Sequence, residues 1–505
     1  MFLVTGLDAE KHFYGLTGEV QLDGQGNVTA GEQDFTDANG LNSNGATPDT
    51  ISAGTYTIGS DGRGTMTLPT SNTKLGASGV ETFSIAVVNG KHALITEFDT
   101  GATGSGTLDF QTLGTSGLDQ SVGGWSFVDV GQNNHASYSQ GGVFTLNASS
   151  QNAICPQSTT PCYPLSQIVT DFDEIDNGTR QVTIGDPNGT GYFMPPDQFG
   201  RGAAYYGGIY WDYYVVSPEV MRLLGYFPQT GTFSQLYVGS AYSQGTGTFS
   251  ASSFSGSFAF TDAGTVQTTT YGAAGLISFD GKSAISGFAD VSEGSAAPTS
   301  AAFSGTYQMN IPISFNNAAA APVNGYGQMT ITPGATQDVS VIGMYAVDPN
   351  LNVTDPNDTT TQHGPGAILT DLDQNVNGGG VLLGQETPSG AAQGNFALNS
   401  QVVTATNGEL DLVGQAAANG SNQFTGNVDV NDFAFSTGAS SGLAFSATLT
   451  PDASHTGRFT TPIMLSLSGN PQTINAVFYQ VSDSQFVVVD VGTGISGTGI
   501  VEKQQ

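Results

Sequence analysis

Hydrophobic and polar residues alternate along most of this chain with a period of two. Runs such as 83-FSIAVV-88 and 486-FVVVDV-491 sit between clusters of Gly, Asn, Asp and Ser. Alternation of this kind places one set of side chains on a buried face and the other toward water, the signature of β-strands. Sustained helical periodicity is absent, and 217-SPEVMRLLGYF-227 is the one stretch that reads as a helical turn. The chain therefore reads as all-β, with short strands joined by tight turns.

The pattern repeats. One signal closes each module: 97-EFDTGATGSGTLDFQ-111, 371-DLDQNVNGGGVLLGQ-385 and 490-DVGTGISGTGIVEKQ-504, with a weaker copy at 238-VGSAYSQGTGTFSAS-252. A mid-module hairpin appears as 54-GTYTIGSDGRGTMTL-68, 191-GYFMPPDQFGRGAAYY-206 and 447-ATLTPDASHTGRFTT-461. In the third copy it is split into 305-GTYQMN-310 and 325-GYGQMTI-331. Opening strands recur at 2-FLVTGL-7, 125-WSFVDV-130, 258-FAFTDA-263 and 396-FALNSQ-401. Ordered signals in four copies define four tandem antiparallel β modules, at 1–116, 117–250, 251–388 and 389–505. Tyr56, Phe193, Tyr307 and Leu449 occupy equivalent places in the mid-module strand. Each module fits a small meander barrel or a sandwich. Sequential hairpins favour the barrel, whose closure removes exposed edges.

The strings GTYTIGSDGRGTMTL (54–68) and ALITEFDTGATGSGTLDFQ (93–111) resemble a family of exported, often lipoprotein-like, Gly- and Thr-rich β-repeat proteins abundant in Acidobacteria. There a GTYTV…DGxGT hairpin and a terminal SGTLEKQ-like strand recur. The resemblance is close in modules one and four and loose in two and three. It implies a bacterial envelope or extracellular setting, and it brings no catalytic motif.

Composition narrows the function classes. Of 505 residues, 42 are acidic and 10 basic, for a net charge of −32. Such a surface repels phosphate backbones and anionic membranes, so nucleic acid is excluded as a partner. No apolar run reaches the length of a membrane helix. The N-terminus carries no basic segment followed by an apolar one, so no signal peptide is read in it, although the composition reads as extracellular or cell-surface. Because the first module's opening strand begins at residue 2, its edge is expected to accept another molecule's C-terminal strand, which leaves self-assembly open.

Candidate chemistry is sparse. Cys155 and Cys162 are expected to form a disulfide in the loop 155-CPQSTTPC-162. Arg63, Arg201 and Arg458 share one hairpin slot, which Gln328 is assigned in module three, and Glu97, Asp371 and Asp490 share another. Ion pairs Arg63–Glu97 and Arg458–Asp490 are expected to fix hairpin register. Asp348, Asn350 and Asn352 match the opening of a calcium loop that lacks its Gly and its Glu, so calcium is a weak candidate and no other cofactor is implied. The acidic run 171-DFDEID-176 is the densest carboxylate set for a glycan-active hydrolase. Tyr210, Trp211, Tyr213 and Tyr214, in 205-YYGGIYWDYYVV-216, read first as a packed core strand, with a partner interface or sugar stacking as the alternatives. The functional expectation is a structural or adhesive surface protein whose partners are itself, other surface proteins or glycans. The alternatives are a carbohydrate-binding array and a hydrolase.

Overall fold

In the computed structural model, the alternating runs become strands that close on themselves four times. The structure describes the chain except for residues 38–39, 42–46, 113–116, 134–135, 152–154, 156–160, 175–180, 187–190, 207–208, 229–233, 267–268, 314–319, 333–338, 359–365, 374–375, 388–389, 407, 435–437 and 468–469. Barrel 1 is built from Phe2–Asp8, Phe13–Leu22, Asn27–Asp37, Gly54–Ile58, Arg63–Pro69, Val80–Asn89, His92–Phe98 and Ala102–Asp109. Each strand pairs antiparallel with its sequence neighbour, and the first pairs with the last, as Phe2 opposite Leu108. Barrel 2 runs from Gly123–Asn133 to Ser234–Ser243, barrel 3 from Ser255–Val266 to Val376–Gly384, and barrel 4 from Gln393–Thr404 to Ile495–Lys503. All four are closed eight-stranded meanders. Among the described residues, no helix is long and apolar enough to cross a membrane.

One register serves all four. Tyr56 lies opposite Met66, Phe193 opposite Ala204 and Tyr307 opposite Met329. The Leu449 N–H donates to the Asn422 carbonyl, just as Tyr56 donates to Gly26 and Tyr307 to Ser283. The four mid-module positions therefore coincide.

An eight-stranded barrel has an interior just wide enough for side chains to fill. In barrel 1 the filling is aliphatic and aromatic, around Leu16, Phe35, Met66, Phe83 and Ile95. In barrel 4 it centres on Phe396, Phe424, Phe478 and Phe486. Barrel 2 is the most aromatic, with Tyr206 and Trp211 stacked at 4.9 Å between centroids. One exchange makes room for the Trp211 ring. On the seventh strand, barrels 1 and 4 place a carboxylate opposite a glycine of the eighth: Glu97 opposite Gly104, Asp490 opposite Gly497. Barrel 2 has Gly225 opposite Tyr237, and the Trp211 ring lies where a Cβ on Gly225 would come within 2.6 Å of it. Burying each such ring stabilises the fold by about 1.5–3 kcal/mol.

Two expectations fail here. The segment expected to be helical forms the strand Val220–Pro228, because its alternate residues Met221 and Leu223 enter the barrel core. The terminal strands are not free edges: Phe2–Asp8 is paired on both sides, and so is Ile495–Lys503. Head-to-tail strand exchange between chains therefore has no edge on which to start.

Candidate functional site

The barrels do not hang as beads. On the third strand of every barrel, an acidic residue is followed by an apolar one and, three positions on, by a second acid: 34-DFTD-37, 171-DFDE-174, 290-DVSE-293 and 429-DVND-432. The first aspartate of each accepts hydrogen bonds from the next barrel. Arg201 of barrel 2 grips Asp34 of barrel 1 through Nε at 2.5 Å and Nη2 at 3.2 Å, while the Tyr214 hydroxyl donates at 2.9 Å. Arg458 of barrel 4 grips Asp290 of barrel 3 at 2.7 Å through both Nε and Nη2, joined by the Tyr479 hydroxyl. Between barrels 2 and 3, Asp171 accepts from the Tyr326 and Tyr345 hydroxyls, each at 2.9 Å. The fourth seam links the ends of the chain: Arg63 of barrel 1 reaches Asp429 of barrel 4 at 3.4 Å, and Ser84 donates to the same carboxylate at 2.5 Å. Repeating one heterologous contact through a rotation that closes gives a ring. The four barrels form one.

Strand register corrects the slot assignment. Arg201 lies opposite Tyr214, Arg458 opposite Tyr479 and Tyr326 opposite Tyr345. Tyr326, not Gln328, holds the arginine slot of barrel 3. The expected pairs Arg63–Glu97 and Arg458–Asp490 do not form, and strand parity gives the reason. Met66 and Ile95 point into barrel 1; Arg63 is an odd number of residues from Met66 and faces out, whereas Glu97 is two from Ile95 and faces in. Arg63 pairs with Asp61 at 2.9 Å as well as with Asp429. Glu97 is wholly buried, its pKa pushed well above the carboxylate range by desolvation and then by Glu81. Asp490, inside barrel 4, accepts from Ser400 at 2.6 Å and is raised by burial to about 6.

A buried ionic chain crosses the centre of the ring. Arg222 of barrel 2 donates from Nη2 to Asp109 of barrel 1 at 2.6 Å. Asp109 holds His92 Nδ1 at 2.8 Å, and His92 Nε2 lies 3.1 Å from Glu502 of barrel 4. Glu502 also accepts from Gln485 and from Thr354, which belongs to a loop of barrel 3. Burial opposes charge on His92, but its bonds to Asp109 and Glu502 hold its pKa well above the ordinary value. Burial also opposes charge on Asp109, yet Arg222 and His92 hold it well below.

Beside this chain is a cavity of about 340 Å³ into which all four barrels project their first or last strands, as Ser105, Ser240, Thr261 and Thr498. Its wall is mixed, with hydroxyls and amides set among Leu3, Val381, Val487 and Ile500.

The other candidate residues separate by location. Trp211 and Tyr213 are core, Tyr214 is a seam residue, and Tyr210 alone of the four is exposed, at 43%. Tyr210 forms an outward ladder with Tyr205, at 4.9 Å between centroids, and Tyr205 with Tyr192, at 6.0 Å. Cys155 and Cys162 are joined by a disulfide. The residues of the calcium candidate loop are engaged otherwise. Asp348 accepts from the Asn350 backbone and side-chain amides, and Asn352 accepts from Thr354. Further along that loop, Asp355 accepts from Asn89 at 2.7 Å, so the loop straps barrel 3 to barrel 1. A grouping unforeseen in the sequence, Asp8, Glu10 and His12, brings potential ligand atoms within 4.8 Å of one another. Within the acidic run 171–176, Asp171 serves a seam, and the side chains of residues 172–176 lie outside the described set.

No family model matches the chain, and no curated protein matches it. Among solved structures, it is similar to a mutant of the vaccine antigen transferrin binding protein B from Haemophilus parasuis, at 9% identity over 82% of this chain and 83% of that one, with a TM-score of 0.21. The isotype 1 transferrin binding protein B of serogroup B Neisseria meningitidis follows, at 8% identity over 82% and 84%, with a TM-score of 0.20. Scores of this size do not amount to a shared architecture.

Proposed function

We infer that this chain is a non-catalytic extracellular or cell-surface protein that acts as one rigid body and presents an adhesive outer face. The observation that carries this reading is the closed ring of Asp-centred seams, which fixes the four barrels relative to one another. The packed interiors of barrels 1, 2 and 4 leave contact with partners to the outside of the barrels. A disulfide suits an oxidising compartment, and the strong acidity suits a body kept apart from anionic polymers. The adhesive face is the ladder of Tyr192, Tyr205 and Tyr210, whose rings combine apolar area with polar tips.

Glycans are a second reading, favoured by the same ladder, since sugar rings stack on aromatic faces. Immunogold labelling of intact producing cells is expected to decorate the outer surface; label confined to the cell interior would remove the localisation. A glycan array and a panel of purified surface proteins, each probed with the intact chain and with Tyr210→Ala plus Tyr205→Ala, test the face. Retention of all binding by the double variant would reject the ladder as the adhesive surface.

A further inference from the structure

The cavity at the centre of the ring has the features of a ligand site. Specific pockets occupy about 300–1,000 Å³ and set a few convergent polar groups in an apolar wall. This one has about 340 Å³ and collects its lining from all four barrels. Arg222 forms part of its wall. Its side chain is buried and held in place, with Nη1 bonded to Ser240 at 2.8 Å and Nη2 to Asp109 at 2.6 Å.

The chemistry of a ligand for this cavity follows from the charges. Asp109 already neutralises Arg222, and the charge of His92 is met by Asp109 and Glu502. The remaining polar lining is uncharged: the hydroxyls of Thr261 and Thr498 and the amide of Asn399, with Ser105 and Gln401 already donating to Asp411 and Glu409. An anion entering a chain of net charge −32 would find no excess positive charge to hold it. A neutral molecule rich in hydroxyls can bond the Asn399 amide and the Thr261 and Thr498 hydroxyls while resting its C–H face on Val381, Val487 and Ile500. We propose that the central cavity binds a neutral mono- or disaccharide, in a site assembled only when all four barrels close.

Isothermal titration of the intact chain tests this, using glucose, galactose, N-acetylglucosamine, maltose, cellobiose and trehalose against glucuronate and glucose 6-phosphate. The expected result is saturable one-to-one binding of at least one neutral sugar. Thr261→Trp and Thr498→Phe, which fill the cavity from two different barrels, should each weaken it at least tenfold while the melting temperature is held. Tyr210→Ala should leave it unchanged, which separates the cavity from the outer tyrosine ladder. Absence of binding by every neutral sugar overturns the proposal. So does binding of only the acid or the phosphate, or neutral-sugar binding that survives both filled variants.

Discussion

Single side chains decide whether four barrels become one body. Asp290 is buried and receives four donors, two from Arg458, one from Tyr479 and one from Ser300 of its own barrel. Asp290→Ala removes the shared acceptor of Arg458 Nε and Nη2 and of the Tyr479 hydroxyl, leaves Arg458 only Asp452, and should cost about 3 kcal/mol in thermal or chemical unfolding. Asp452→Ala removes the partner of Arg458 at the seam's rim and should cost far less. The buried carboxylates set the pH response. Desolvation raises Glu81 to about 8 and Glu97 well above its ordinary value. Each binds its proton more tightly folded than unfolded, so stability falls as pH rises from the unfolded value toward the folded one, by about 1.4 kcal/mol per unit for each group. His92, also raised, acts in the same sense: its contribution is complete below its unfolded value and is lost as pH rises through the folded one. Asp109, depressed, acts in the opposite sense and is lost only as the solution becomes strongly acidic. Calorimetry should therefore show a higher melting temperature at pH 5 than at pH 8, with a shallower slope in Glu97→Gln.

At the scale of elements, closure matters more than any one strand's propensity. Deleting residues 495–505 removes the eighth strand of barrel 4 and leaves Gln393–Thr404 and Gln485–Gly492 each with an open edge. The expected outcome is loss of the monomeric folded chain and gain of dye-binding aggregates, measured by light scattering with a hydrophobic probe. The Cys155–Cys162 bridge closes a short loop between the second and third strands of barrel 2. Loop-closure entropy for that length is about 2.5 kcal/mol or less. Reduction should lower the melting temperature modestly and leave the ring intact by size-exclusion chromatography.

For the whole molecule, the covalent links between barrels matter less than the seams. The seam between barrels 4 and 1 is formed without a direct linker, by the same type of contact that joins neighbours in the chain. Cutting between barrels 2 and 3 leaves two halves, 1–250 and 251–505, that meet across two seams and the buried Arg222–Asp109–His92–Glu502 chain. Co-expressed halves should co-purify as a one-to-one complex of the intact mass by multi-angle light scattering. Asp171→Ala combined with Asp429→Ala, which removes the acceptors of both shared seams, should separate them.

Strand alternation and recurring turn signals determined the all-β class, the four modules and their common register, because both depend on residues close in sequence. Tyr56, Phe193, Tyr307 and Leu449 could be aligned before any coordinates. The disulfide was legible for the same local reason. The partners of Arg63 and Arg458 were not, since parity along a strand says which face a side chain takes but not which barrel lies opposite that face. The repeated Asp-apolar-x-acid motif of the third strands was visible in the sequence and was the signal that could have located the seams. Its meaning required the ring, in which Asp34 meets Arg201 across 167 positions and Asp429 meets Arg63 across 366. The central cavity lies furthest from local pattern. It exists only where four outward strand faces, each unremarkable alone, are brought together by closure, and that closure is a property of the tertiary structure.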